Sequence, residues 1–164
     1  MADVTLPGPS PYGCRINHAA VREAVADFGL ADPVVIEWLG LDRPPGDPHA
    51  DHEVKQADDG RTFHLIRLSV WDSPERVSWS LWHELAHARQ TEAIGARAYK
   101  LAYEFGQEVA GYDDNIFERE ARQVAADHAD VLLTDPEGFD PTVPDAAWRS
   151  AEELRREGAF DTSV

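Results

Sequence analysis

Residues 80–90 contain one complete His-Glu-x-x-His pattern, formed by His83, Glu84 and His87. In a helix, two histidines four residues apart lie on one face about one turn apart, so both imidazoles can reach a single metal ion. Zinc accepts nitrogen and oxygen ligands and leaves a coordination position for water in catalytic sites. The Glu84 carboxylate could take a proton from that water as it attacks a carbonyl. The pattern therefore predicts a hydrolytic zinc site, and the rest of the chain must supply a third ligand.

The helix that must carry this pattern has a clear start at Ser73, Pro74 and Glu75. Serine can cap the free backbone amides, proline is tolerated at the first helical position, and glutamate favours the positive end of the helix dipole. An apolar stripe follows at four-, four- and three-residue spacing and comprises Val77, Leu81, Leu85 and Ala88. The histidine pair lies beside this stripe, so we expect it on a face that packs inward.

A sheet is predicted to precede this helix. Residues 34–39 form a short β-rich run that is typical of a strand. Residues 52–56 and 61–71 flank an Asp59-Gly60 pair, which is a preferred hairpin turn because glycine takes a positive φ without strain. We therefore expect a β-hairpin just before the helix, with His64 on a strand face rather than among the metal ligands.

Candidates for the third ligand lie on a later helix. Residues after 113–115 place their apolar side chains on one broad face, and Glu118 and Glu120 flank that face. Each glutamate is about 80° from the apolar centre at about 100° per residue, so by geometry alone either one can turn toward the histidine pair. Three tyrosines are candidate hydrogen-bond donors to a developing oxyanion: Tyr99, Tyr103 and Tyr112.

The capped helix, the preceding hairpin and the downstream glutamates together resemble the gluzincin metallopeptidases. More narrowly, the Glu-x-Glu-Ala pattern and alanine-rich helix in residues 115–126 resemble the ImmA/IrrE-type and related phage-borne metallopeptidase domains. The resemblance covers about residues 60–134. It implies a small zincin-like α+β domain, in which a short sheet containing antiparallel strands packs on the His-Glu-x-x-His helix and on a second, glutamate-bearing helix.

The resemblance also implies roles for individual residues. His83 and His87 would be zinc ligands, Glu84 the general base, and Glu118, the first glutamate of its pattern, the third ligand. Arg122 departs from the family, because a small polar or acidic residue usually orients a ligand histidine from that position. Arginine cannot accept a hydrogen bond from imidazole, so the orienting acceptor would have to be Asp113, Asp114 or a backbone carbonyl.

Three segments are predicted along the chain. Residues 1–16 are rich in proline and glycine and are expected to form an extended arm. Residues 17–134 would form the zincin-like domain. Residues 135–164 would form a linker and a polar C-terminal helix. The arm and the tail are both suited to contacts with a protein partner.

The charge balance bears on possible partners. The chain has 164 residues, with 31 Asp+Glu against 15 Lys+Arg and a formal net charge of −16. This charge makes nucleic acid and anionic membranes unlikely partners. Cys14 is the one cysteine, so a metal site must use histidine and carboxylate ligands. With neither a signal-like start nor a long apolar run, we expect a cytoplasmic protein, or a virion-associated one if the gene is phage-borne.

The function expected from this set of residues is a zinc metallopeptidase that hydrolyses peptide bonds in a peptide or protein substrate by metal-activated water. The alternative is a non-catalytic binding or structural protein, for example a virion or assembly component, that retains a metallopeptidase fold. A third possibility is a regulatory peptidase that acts on a repressor.

Overall fold

A computed structural model of the chain describes residues 2–158. Within that range the fold is α+β, as predicted, with five helices and six strands. The strands are β1 (Val4–Thr5), β2 (Arg15–Ile16), β3 (Val34–Trp38), β4 (Ala50–Gln56), β5 (Thr62–Leu68) and β6 (Thr134–Asp135). The helices are α1 (His18–Asp27), α2 (Pro74–Ile94), α3 (Ala96–Asp114), α4 (Ile116–Asp127) and α5 (Thr142–Arg156).

Four strands form a mixed sheet in the order β1-β3-β5-β4. β3 runs parallel to both β1 and β5, whereas β4 and β5 are antiparallel. The predicted hairpin is confirmed, and Gly60 at its turn has a φ of 86°. In β5, His64, Ile66 and Leu68 are buried on the face toward α2, and β4 forms the edge of the sheet beside them.

Over residues 2–16, the predicted arm contains β1, a turn at residues 11–12 and β2, and it is integrated into the fold. Val4 and Thr5 pair with Val34 and Val35, and β2 pairs antiparallel with β6 to form a second, two-stranded sheet. Cys14, which a flexible start would leave accessible, is fully buried. Strands of two residues are too short to show an alternating pattern, so their pairing could not be predicted from the sequence.

Helix α2 packs against the sheet through the predicted stripe. Ser73 caps the helix by accepting a hydrogen bond from the Arg76 amide (3.2 Å), and Pro74 occupies the first helical turn. The stripe residues are all at most 1% exposed, which confirms the predicted inward face: Val77, Leu81, Leu85 and Ala88. Burying this stripe holds the central turns of α2 against the sheet.

The helices that follow α2 pack on it. Helix α4 lies against α2, and α3 connects the two and contacts both. Helix α5 is attached through Trp148, whose indole nitrogen donates to the Trp71 carbonyl (2.8 Å). The predicted C-terminal segment continues into residues 159–164, which lie outside the described part of the chain. No helix between residues 2 and 158 is both long enough and apolar enough to cross a membrane.

Candidate metal centre

Three buried side chains from α2 and α4 converge on one point. The Nε2 atoms of His83 and His87 lie 3.1 Å apart. Glu118 places Oε2 3.0 Å from the His83 Nε2 and Oε1 3.1 Å from the His87 Nε2. The three residues are 6%, 6% and 4% exposed. Helical spacing brings the histidines together, and the packing of the two helices brings the carboxylate to them.

Small side chains at the contact between α2 and α4 allow this approach. Ala86 and Ala121 are fully buried against each other's helices, together with Val124. Asn115 caps α4 by accepting from the Phe117 amide (3.0 Å). The cap fixes where α4 begins, and Glu118 in its first turn then faces α2.

Glu120, the other candidate, points elsewhere. Its Oε1 accepts a hydrogen bond from the Gln90 side-chain amide (3.3 Å), and the residue is exposed. Of the two glutamates that flank the apolar face of α4, the structure therefore brings Glu118 to the histidines.

The donor set and its spacing fit a zinc ion. With bonds of about 2.1 Å, the ligand atoms of a tetrahedral zinc site are about 3.4 Å apart. The two Nε2 atoms are 3.1 Å apart and each lies 3.0–3.1 Å from a different oxygen of Glu118, and one ligand atom from each of the three residues lies within 4.8 Å of the others. Two imidazole nitrogens and a carboxylate make a three-ligand set, which leaves one tetrahedral position for water or substrate. His83, His87 and Glu118 are thus the residues that would hold the metal.

Gln90 sets the orientation and protonation of the His87 ring. Its side-chain NH₂ donates to the Phe117 carbonyl (2.9 Å), so its Oε1 is the atom that faces the His87 Nδ1 (2.9 Å). An acceptor at that position requires a proton on Nδ1, which leaves the Nε2 lone pair of neutral His87 directed at the centre. The Tyr99 hydroxyl also contacts Nδ1 (2.9 Å).

This acceptor is not one of the groups expected from the sequence. Neither Asp113 nor Asp114 orients His87, and the Arg122 guanidinium donates to the Asp113 carbonyl. The i, i+3 spacing of His87 and Gln90 on α2 is the signal that could have identified the acceptor, because side chains three residues apart meet on a helix surface.

At Nδ1 the His83 ring is held by packing rather than by a hydrogen bond. Its Nδ1 is buried and has no hydrogen-bond partner, whereas its ring stacks on Trp79 with centroids 5.3 Å apart and planes 23° apart. A metal-ligating histidine usually donates a hydrogen bond through the ring nitrogen that does not bind the metal, so His83 departs from that pattern.

Glu84 is placed for proton transfer. It is 7% exposed and lines a cleft of about 1030 Å³ with both histidines and Glu118. Burial is the main cause that raises its pKa to about 7; the charge of His87 opposes this shift, and the charges of Glu118 and Asp51 add to it. A carboxyl group with such a pKa can both accept and return a proton near neutral pH.

The electrostatics at the centre favour a cation. Burial acts to raise the pKa of Glu118, but hydrogen bonds from the protonated forms of His83 and His87 and from Tyr103 outweigh it and hold the pKa well below its usual range. Burial acts to lower the pKa of His87, but the hydrogen bond with Glu118 and the Glu84 charge reverse this and raise it. Both shifts indicate a site that stabilises positive charge.

The cleft has two further walls. One is the edge strand β4, from Ala50 to Lys55, and the other is α3. From α3 the Tyr103 hydroxyl donates to Glu118 Oε1 (2.8 Å). Burial is the main cause that raises the pKa of the three cleft tyrosines, and it raises that of Tyr112 to about 12. Their hydroxyls therefore stay protonated at neutral pH.

Comparison of the chain with protein-family models, with curated proteins and with solved structures finds no match in any of the three.

Proposed function

We propose that this protein is a zinc-dependent peptidase. The observation that carries the proposal is the convergence of two histidine Nε2 atoms and the Glu118 carboxylate within 3.1 Å, beside the buried Glu84 and open to a cleft. A zincin-like arrangement accounts for all four residues, with His83, His87 and Glu118 as ligands and Glu84 as the base.

Each residue has a distinct task in such a reaction. A zinc ion held at the centre would polarise a water molecule and the substrate carbonyl. Glu84 would accept a proton as the peptide carbonyl is attacked and return it to the leaving amine. Gln90 would keep the His87 ring in the tautomer that directs Nε2 inward. The α3 tyrosines remain protonated and are candidate donors to the oxygen on which negative charge develops.

The edge strand supports a peptide as the substrate. β4 pairs with β5 on one side, and no strand in residues 2–158 pairs with its other side. Residues 50–55 of this strand line the cleft that contains Glu84. An extended peptide can add to a free strand edge through main-chain hydrogen bonds. Such pairing would hold the scissile bond along the wall next to the candidate base.

The metal content of the wild type and the activity of a variant that lacks the candidate general base test the proposal together. We expect about one zinc per chain by elemental analysis, and cleavage of a peptide library that Glu84→Gln reduces by at least about a hundredfold. Glu120→Gln is the matched control, since that glutamate lies outside the centre, and it should retain both zinc and activity. A wild-type protein without zinc, or equal cleavage by Glu84→Gln, would refute the proposal.

One observation favours a second candidate function, a non-catalytic protein that retains the metal centre. The buried Nδ1 of His83 has no acceptor, so this ring lacks the hydrogen bond that usually raises ligand basicity. Stoichiometric zinc in the wild-type protein, combined with no cleavage of the library, would support this candidate over the peptidase.

A further inference from the structure

Helix α3 presents an apolar surface away from the centre. Although it has nineteen residues, none of them is buried. Six of the eleven large apolar side chains that are exposed in residues 2–158 lie between positions 94 and 116. Four of these six lie on α3 itself, and a cluster of exposed apolar residues on one element, unlike scattered ones, indicates an interaction surface.

The exposed residues of α3 form one stripe. Ala98, Leu101, Phe105 and Val109 follow one another at spacings of three, four and four residues, which places them on one helical face. Leu101, Phe105 and Val109 are 61%, 68% and 68% exposed. None of the four stripe residues lines the cleft, so an occupant can cover the stripe without contacting the metal centre.

Charges along α3 are arranged with opposite signs toward its two ends. Arg97 and Lys100 lie near the N-terminus of α3, whereas Glu104 lies near its middle and Glu108 in its C-terminal half. At about 100° per residue, Arg97 and Glu108 both fall on the same flank of the stripe. This flank is therefore complementary to itself when one copy of the helix is reversed relative to the other.

We propose that the stripe is the contact surface between two copies of this chain, with their α3 helices packed antiparallel. In a two-fold dimer both copies contribute the same patch. When the two α3 helices are antiparallel, each flank of the stripe on one copy faces the same flank of the stripe on the other copy. Arg97 of each copy then lies beside Glu108 of the other, whereas a parallel arrangement would pair each flank with the opposite flank and lose this complementarity. The net charge of −16 disfavours an anionic lipid surface as the occupant.

Sedimentation equilibrium of the full chain over about a hundredfold range of concentration tests the oligomeric state. We expect a monomer–dimer equilibrium for the wild type. Phe105→Glu and Val109→Lys should each abolish the dimer, because both put a charge into the apolar contact. Leu41→Glu is the control, since Leu41 is 55% exposed outside α3, and it should leave the dimer intact. Circular dichroism establishes that each variant is folded.

Charge reversal tests the antiparallel orientation. Arg97→Glu and Glu108→Arg should each weaken the dimer by about threefold to tenfold, because each single change puts like charges in contact twice per dimer. The double variant should restore the wild-type affinity. A wild type that remains monomeric, a dimer that survives Phe105→Glu, or a double variant that fails to restore association would each overturn the proposal.

Discussion

The side-chain oxygen of Gln90 lies 2.9 Å from Nδ1 of His87, and the Gln90 NH₂ group donates to the Phe117 carbonyl of α4. One glutamine thus connects a candidate ligand on α2 to the backbone of the helix that carries Glu118. The position of His87 and the approach of α4 are coupled through this side chain.

Gln90→Leu is expected to weaken zinc binding by about tenfold to a hundredfold, because it removes the acceptor that holds the His87 proton on Nδ1. Titration of the metal-free protein against a chelator of known affinity measures the change. Gln123→Leu is the matched control, because Gln123 is exposed on α4 and bonds to Asp127 instead. Equal zinc affinities for the two variants would contradict the role given to Gln90.

The pairing of His83 with His87 could be predicted from sequence because a four-residue spacing on a helix fixes the relative positions of the side chains. Glu118 and Glu120 could not be separated by the same geometry, since they flank the apolar face of α4 equally. Their roles depend on how α4 is tilted against α2, and the small side chains at that contact determine the tilt. Gln90 depends on the same tertiary contact through the Phe117 carbonyl.

The two glutamates of α4 should differ in their effect on metal binding. Glu118→Gln replaces an anionic ligand by a weak neutral one and should lower zinc affinity by at least about a hundredfold. Glu120→Gln should change it by less than about threefold, since Glu120 contacts Gln90 and solvent. Calorimetric zinc titration of both variants measures the difference. A larger loss for Glu120→Gln would reassign the third ligand.

Glu84 should give the metal-free protein a distinctive pH dependence. Its pKa is raised from 4.5 to about 7, so the folded state binds its proton more tightly than the unfolded state does. The resulting stabilisation is fully present below pH 4.5 and is lost as the pH rises through about 7. Its magnitude is about 3 kcal/mol.

Urea denaturation of wild type and Glu84→Gln in the presence of chelator isolates this effect. The difference between their free energies of unfolding should fall between pH 4.5 and 7. The difference in free energy of unfolding between the wild type and Gln123→Leu, which removes no titratable group, should stay flat over this range. Parallel curves for the wild type and Glu84→Gln would show that the carboxyl group is not desolvated in the folded protein.

The Cys14 thiol should be inert in the native protein. Burial is the main cause that raises its pKa to about 12, and the charges of Glu75 and Asp72 add to the effect. At pH about 8 its thiolate fraction is about a thousandfold below that of an ordinary exposed thiol. We expect a thiol-reactive dye to label the chain in urea but not under native conditions. Rapid native labelling would show that residues 2–16 detach from the sheet.

Glu92, His64 and His52 form a hydrogen-bonded series from the end of α2 to the wall of the cleft. The Glu92 carboxylate accepts from the Ala31 amide (2.7 Å) and from the His64 Nε2 (2.6 Å). The His64 Nδ1 lies 2.9 Å from the His52 Nε2. Because His64 donates through Nε2, its Nδ1 must accept, and neutral His52 must donate through Nε2. Both rings are therefore expected to carry their proton on Nε2.

Nuclear magnetic resonance of ¹⁵N-labelled protein reports these tautomers directly. His52 should stay neutral down to about pH 4, because burial, with smaller contributions from the neighbouring His64 and His87, lowers its pKa to about 3. Glu92→Leu should release both rings from the single tautomer and cost about 2 kcal/mol of stability, since buried His64 then loses its acceptor. Glu53→Gln on the same edge strand should change neither property. A proton on the His64 Nδ1 in the wild type would contradict the direction of the series.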